Sequence, residues 1–86
     1  MLKLHFPITG TKQVFRNTKT GEYVLASYST IPQNFGQGAP EIYLFPCSGT
    51  GKVLSYGELY GEKGSHLTPR DIQKVVDRYN KGVEYP

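Results

Sequence analysis

Ile72, Val75, Val76 and Tyr79 recur at i, i+3, i+4 and i+7, while Arg70, Lys74, Arg78 and Lys81 gather on roughly the opposite side. This is the period of an amphipathic helix with one face for a core and the other for solvent. The ends are marked as well. Thr68 suits the N-cap, Pro69 fits the first helical position where no N–H is needed, and Asp71 stands where a capping box places an acid. Leu67 and Ile72 can close a hydrophobic staple over that cap. These signals predict a helix over 68–81 docked on an apolar surface, which the residues before it must supply.

Those residues read as strands. Leu2, Leu4, Phe6 and Ile8 alternate with Lys3, His5 and Pro7, the period of a half-buried strand with Pro7 at an edge or an end. Segments 13–16 and 22–30 bracket Asn17-Thr18-Lys19-Thr20-Gly21, a run of turn formers, and form a hairpin. Tyr23-Val24-Leu25-Ala26 is apolar on both faces, as at the centre of a sheet. Residues 31–40 are a loop rich in proline, glycine and amides, with Phe35 as its one large apolar side chain. A strand over 41–47, broken or kinked at Pro46, turns through Ser48-Gly49-Thr50-Gly51 into 52–56 as a second hairpin. The pattern in 57–66 fits one helical turn or a short strand equally.

The fold class expected is α+β: a small antiparallel sheet or partly open barrel of four to five strands with one C-terminal helix packed on it. Residues 1–86 form a single domain, with strands within 2–56, a glycine-rich connection over 57–66 and the helix over 68–81. At 86 residues the chain has room for one small core. Its 37% hydrophobic and 20% charged composition is that of a folded domain rather than of disorder. A single cysteine excludes an internal disulfide framework, and no segment is long and apolar enough for a membrane span. A cytoplasmic protein without membrane association is therefore expected.

Chemistry is poorly marked. Gly49-Thr50-Gly51-Lys52 suggests a phosphate loop, but Pro46 and Val53 stand where a Walker loop needs glycine and a hydroxyl residue, so a hairpin turn is the better reading. Cys47 has no basic partner fixed beside it and reads as a small core or strand-end residue. His5, His66 and Cys47 lack the close spacing of metal ligands. Glu58 and Glu62 share a segment but read as solvated charges. The Leu67–Ile72 segment with Tyr79-Asn80 resembles the closing helix of astacin-type metalloproteases; the zinc-binding His-Glu-x-x-His helix is absent, and shared capping implies no activity. No enzyme activity and no cofactor or metal are expected.

What remains is binding. Seven Tyr and four Phe without Trp exceed what one helix-covered sheet can bury, and aromatic rings are effective interface anchors. The leading expectation is a small non-enzymatic protein that occupies a protein partner's surface through Tyr28, Phe35, Tyr43, Tyr56 and Tyr60. In size and style it compares with phage-encoded inhibitors of host systems such as anti-CRISPR proteins, with no motif behind the comparison. The alternative starts from charge. The formal net charge is +3 with all of the excess in residues 1–52. A surface for single-stranded nucleic acid would then use Lys3, Lys12, Arg16 and Lys19 with Phe15, Tyr23 and Tyr28, or the helical stripe Arg70, Lys74 and Arg78.

Overall fold

A computed structural model of the chain describes residues 1–30 and 39–82. Five strands form one antiparallel, open meander in the order β1 (Leu2–Thr9), β2 (Lys12–Asn17), β3 (Tyr23–Thr30), β4 (Pro40–Cys47) and β5 (Tyr60–Lys63). A 3-10 turn at Pro69–Asp71 leads into the helix α1 (Ile72–Asn80). This is the α+β class, with the sheet open instead of closed into a barrel. No helix among the described residues is long and apolar enough to cross a membrane.

The helix follows its signals closely. The Thr68 backbone N–H donates to the Asp71 carboxylate at 2.8 Å, so the cap satisfies a donor that the first turn would leave unpaired. Ile72, Val75 and Val76 are fully buried and Tyr79 partly so. They lie on one sheet face against Leu2, Phe15, Val24, Ala26, Ile42, Leu44 and Tyr60. Gly82, at φ +81°, ends the helix in the left-handed region where glycine carries no Cβ penalty. At the same end Asn80 acts as a strand surrogate. Its Oδ1 accepts from the Leu2 N–H at 2.7 Å and its Nδ2 donates to the Leu2 carbonyl at 3.0 Å, capping the outer edge of β1.

β1 corrects the simple alternation. Leu2 is buried, but Leu4 and Ile8 are exposed. The pairing runs Leu4↔Phe15 and then Phe6↔Val14, so a bulge at His5 moves the following side chains to the other face. Phe6 joins a second cluster there with Val14, Leu25, Cys47, Tyr23 and Val53. Both faces of the sheet therefore carry apolar cores, one under the helix and one under the loop after β4.

The region 46–66 departs further from expectation. β4 is not broken at Pro46, which pairs with Val24. The Pro46 carbonyl accepts from Leu54 N–H on the side away from β3, so the nitrogen on that side has no ladder bond to lose. Residues 52–56 form no strand and join β4 through the single bridge Cys47↔Val53. The strand that pairs with β4 is β5, inside the stretch that fitted helix and strand equally.

β5 is tied to the helix by Arg78, which donates through Nε and Nη2 to both oxygens of Glu62. The buried Tyr60 hydroxyl donates to the same carboxylate at 2.7 Å. Glu62 is thus a partly buried, paired group instead of a solvated loop charge. The Arg78 hydrogen bonds hold its carboxyl below the ordinary 4.5, against the opposing effect of burial. A depressed folded-state pKa contributes stability above the unfolded value and loses it as pH falls through the folded value. Unfolding free energy is expected to be flat above about pH 5 and to decline below about pH 4.5. Because the Arg78 side chain is 40% exposed, Glu62's share is about 1 kcal/mol or less. Denaturant melts of wild type and Glu62→Gln between pH 3 and 7 check this: the difference between them should shrink as pH falls, and a constant difference would mean that the pair does not bind proton-linked energy.

Candidate functional site

The face away from the helix collects most of the unexplained side chains. Register places three rows across it. Lys3, Arg16 and Tyr23 are paired neighbours on β1, β2 and β3 and end at Cys47 on β4. Val14, Leu25 and Phe45 form the middle row, and Lys12, Ser27, Tyr43 and Gly61 the third. The loop after β4 folds over the middle row. Gly51, at φ +92°, passes so close to Ile8 that an added Cβ would stand 2.5 Å from its Cδ1.

That loop answers the phosphate question. Gly51 N–H donates to the Ser48 carbonyl at 2.9 Å and Ser48 N–H to the Lys52 carbonyl at 2.8 Å. The Lys52 and Thr50 N–H groups turn in to the Ser48 hydroxyl. The amides of Ser48, Thr50, Gly51 and Lys52 are thus spent on the turn, which closes through the bridge Cys47↔Val53 without a second strand. Cys47 lies buried beside it, and burial raises its thiol pKa above the ordinary 9.0, the wrong direction for a nucleophile. Among the described residues no three His, Cys, Asp or Glu side chains converge to hold a metal. An open cleft where Asn80 meets Met1, Leu2, Asn17 and Tyr79 carries no carboxylate, histidine or thiol.

The expected partner anchors separate into three kinds. Tyr60 is 3% exposed and belongs to the helix-side core, and its ring neighbours Tyr79 at 5.9 Å. It cannot present its ring to a partner. Tyr28 is half-buried against the same core, with its hydroxyl 3.5 Å from the Leu67 carbonyl. Phe35 lies outside the described residues. Tyr43 and Tyr56 are brought together on the helix-free side through Phe45, with ring centroids 6.2 Å apart for Tyr43–Phe45 and 6.1 Å for Phe45–Tyr56. The loop between β4 and β5 also exposes Leu54 (67%), Tyr56 (81%) and Leu59 (42%). Leu54, Phe45 and Leu59 were not legible as site residues, because period-2 reasoning assigns Leu54 to a strand face that does not form.

The cationic candidates also divide. Phe15 is fully buried under the helix and cannot serve as a stacking platform. Arg78 is engaged by Glu62, and Lys74 lies 3.7 Å from Asp71, so the helical stripe is only partly free. Lys12, Arg16, Lys19 and Arg70 are exposed. Comparison with family models, with curated proteins and with solved structures finds no match.

Proposed function

We propose that the chain is a non-enzymatic binding protein that acts by docking the Leu54–Leu59 loop and the adjoining Tyr43 and Phe45 rings onto a partner protein. The observation that carries this reading is that three of the six exposed large apolar side chains among the described residues fall within one short loop. Leu54, Tyr56 and Leu59 are all open to solvent, and Tyr56 lies against Phe45 of a half-buried aromatic pair. Such side chains contribute little to folding while exposed, and large apolar side chains gathered in one exposed loop suit a contact surface. A ring flanked by leucines, bordered by polar Ser55 and Glu58, supplies the apolar centre and wet rim of a protein interface. The buried, high-pKa thiol and the inward-turned loop amides support a contact function over a catalytic one.

The test is affinity capture on the immobilised chain, comparing wild type with Leu54→Ser/Tyr56→Ser. Both positions are exposed, so the melting temperature should move by no more than a few degrees. A protein retained in stoichiometric amount by wild type and lost by the double variant is the expected result. Retention by both, or by neither, sinks the reading.

A further inference from the structure

The end of the sheet at the 17–22 turn has a character that the apolar loop does not explain. Lys3, Arg16 and Tyr23 form one row across three strands, with neighbouring backbones about 4.8 Å apart. The bulge at His5 sets its ring against Tyr23, at a centroid distance of 5.1 Å. The Arg16 guanidinium reaches over Gly21 toward the turn that carries Lys19, with its Nη2 3.5 Å from where a Gly21 Cβ would stand. Lys52 follows the turn whose Gly49 lies against the Tyr23 ring. Lys3, Arg16, Lys19 and Lys52 are exposed, and none forms an ion pair among the described residues, whereas Lys63, Lys74 and Arg78 all do. Glu22 is the one acid at this end among the described residues.

Four unpaired cations gathered around the exposed His5 ring, which rests on the half-buried Tyr23, present two attractions at once. Phosphates are drawn by the cations, and a base can lie on a ring face; duplexes offer the first and hide the second. An acidic protein surface would use the cations and leave the His5–Tyr23 pair unexplained. We propose that this end of the sheet, formed by Lys3, His5, Arg16, Lys19, Tyr23 and Lys52, binds single-stranded nucleic acid, with a base on the His5–Tyr23 rings and the backbone along the four cations. The site moves the cationic surface away from the helix and from Lys12, Arg70, Lys74 and Arg78.

The experiment is fluorescence anisotropy with labelled twenty-nucleotide oligo-dT and oligo-U, a labelled duplex of the same length, and polyglutamate as competitor. Four phosphate contacts on a single strand predict about a 50-fold loss of affinity between 50 and 200 mM salt. Arg16→Ala and Lys3→Ala should each reduce the logarithmic salt slope by about 0.7. Tyr23→Leu should weaken single-strand binding by roughly 5- to 100-fold with the salt slope unchanged. Tyr23 also packs on the loop, so His5→Ala, at an exposed position, serves as the second ring variant and should weaken binding in the same manner. The proposal is overturned by absence of binding at 50 mM salt, by equal affinity for duplex, by polyglutamate competing as well as oligo-dT, or by ring variants that leave affinity untouched. The last three results would assign the patch to acidic surfaces in general.

Discussion

Val76→Asp is expected to abolish the folded state at room temperature. Val76 is fully buried between the helix and the sheet, in the cluster that includes Phe15, Ile42 and Leu44. Its apolar surroundings supply no partner for a charge. Burying an unpaired carboxylate costs several kcal/mol even when it neutralises by taking up a proton. A domain of this size has roughly 5 kcal/mol of stability in total. Far-UV circular dichroism of the variant should show loss of cooperative melting. Val76→Ala separates charge from volume: it removes two methyl groups, costs about 2 kcal/mol and lowers the melting temperature by roughly 8–16 °C while the fold persists. If Val76→Asp melted like wild type, the helix would not be docked on the sheet through this face.

The helix was legible because every local signal agreed with the tertiary outcome. The cap at Thr68–Asp71, proline at the first position and the four apolar residues all demand the same element, and the sheet then buries the face so marked. The hairpin of β2 and β3 was legible for the same reason, with turn formers between two apolar runs and Gly21 at φ +77° where the turn needs it.

Alternation failed where geometry breaks its period. A bulge in β1 sends Leu4 and Phe6 to opposite faces, and no residue type at His5 announces it. Residues 52–56 have strand composition but lie beside Pro46, whose side of β4 accepts one hydrogen bond and can offer none in return. Pairing therefore resumes on β4 only where Leu44 meets Tyr60. The same misreading hid the apolar loop, since a strand would have turned Leu54 and Tyr56 toward neighbours they do not have.

Tyr60 and Glu62 show a second limit. Composition marks tyrosine as an anchor and glutamate as solvated, and a contact 16 residues away in sequence, Arg78 on Glu62, reverses both readings. Long-range pairing of that kind has no local signature. The cationic end was partly legible, because Arg16, Lys19 and Tyr23 flank a recognisable turn. Lys3 belongs to the same group in the sequence, but its place in one row with Arg16 and Tyr23 comes from register, and His5 joins through the bulge.

Gly61→Ala is expected to destabilise the protein by about 1–3 kcal/mol, against the modest gain that Gly-to-Ala replacement ordinarily gives within a strand. The reason is the Tyr43 ring, which lies over the β5 backbone. A Cβ on Gly61 would stand 2.0 Å from Tyr43 Cδ1, 2.3 Å from Cε1 and 3.2 Å from Cγ. The ring is met along its side up to its root, so a change of its tip cannot relieve the overlap, and either the ring leaves or β5 moves away from β4. Either response loosens the strand that Glu62 and Arg78 join to the helix. Tyr43→Ser in the same chain removes the obstacle, so the two substitutions should be strongly non-additive. Gly61→Ala should cost little or nothing in the Tyr43→Ser background, with a coupling of about 1–2 kcal/mol in urea melts. Additive losses would show that glycine at 61 serves the backbone of β5 instead of the ring. Because Tyr43 adjoins the proposed partner surface, the comparison also reads function: Gly61→Ala should weaken capture of the partner through a displaced ring while Leu54 and Tyr56 remain in place, and undiminished capture would remove Tyr43 from that surface.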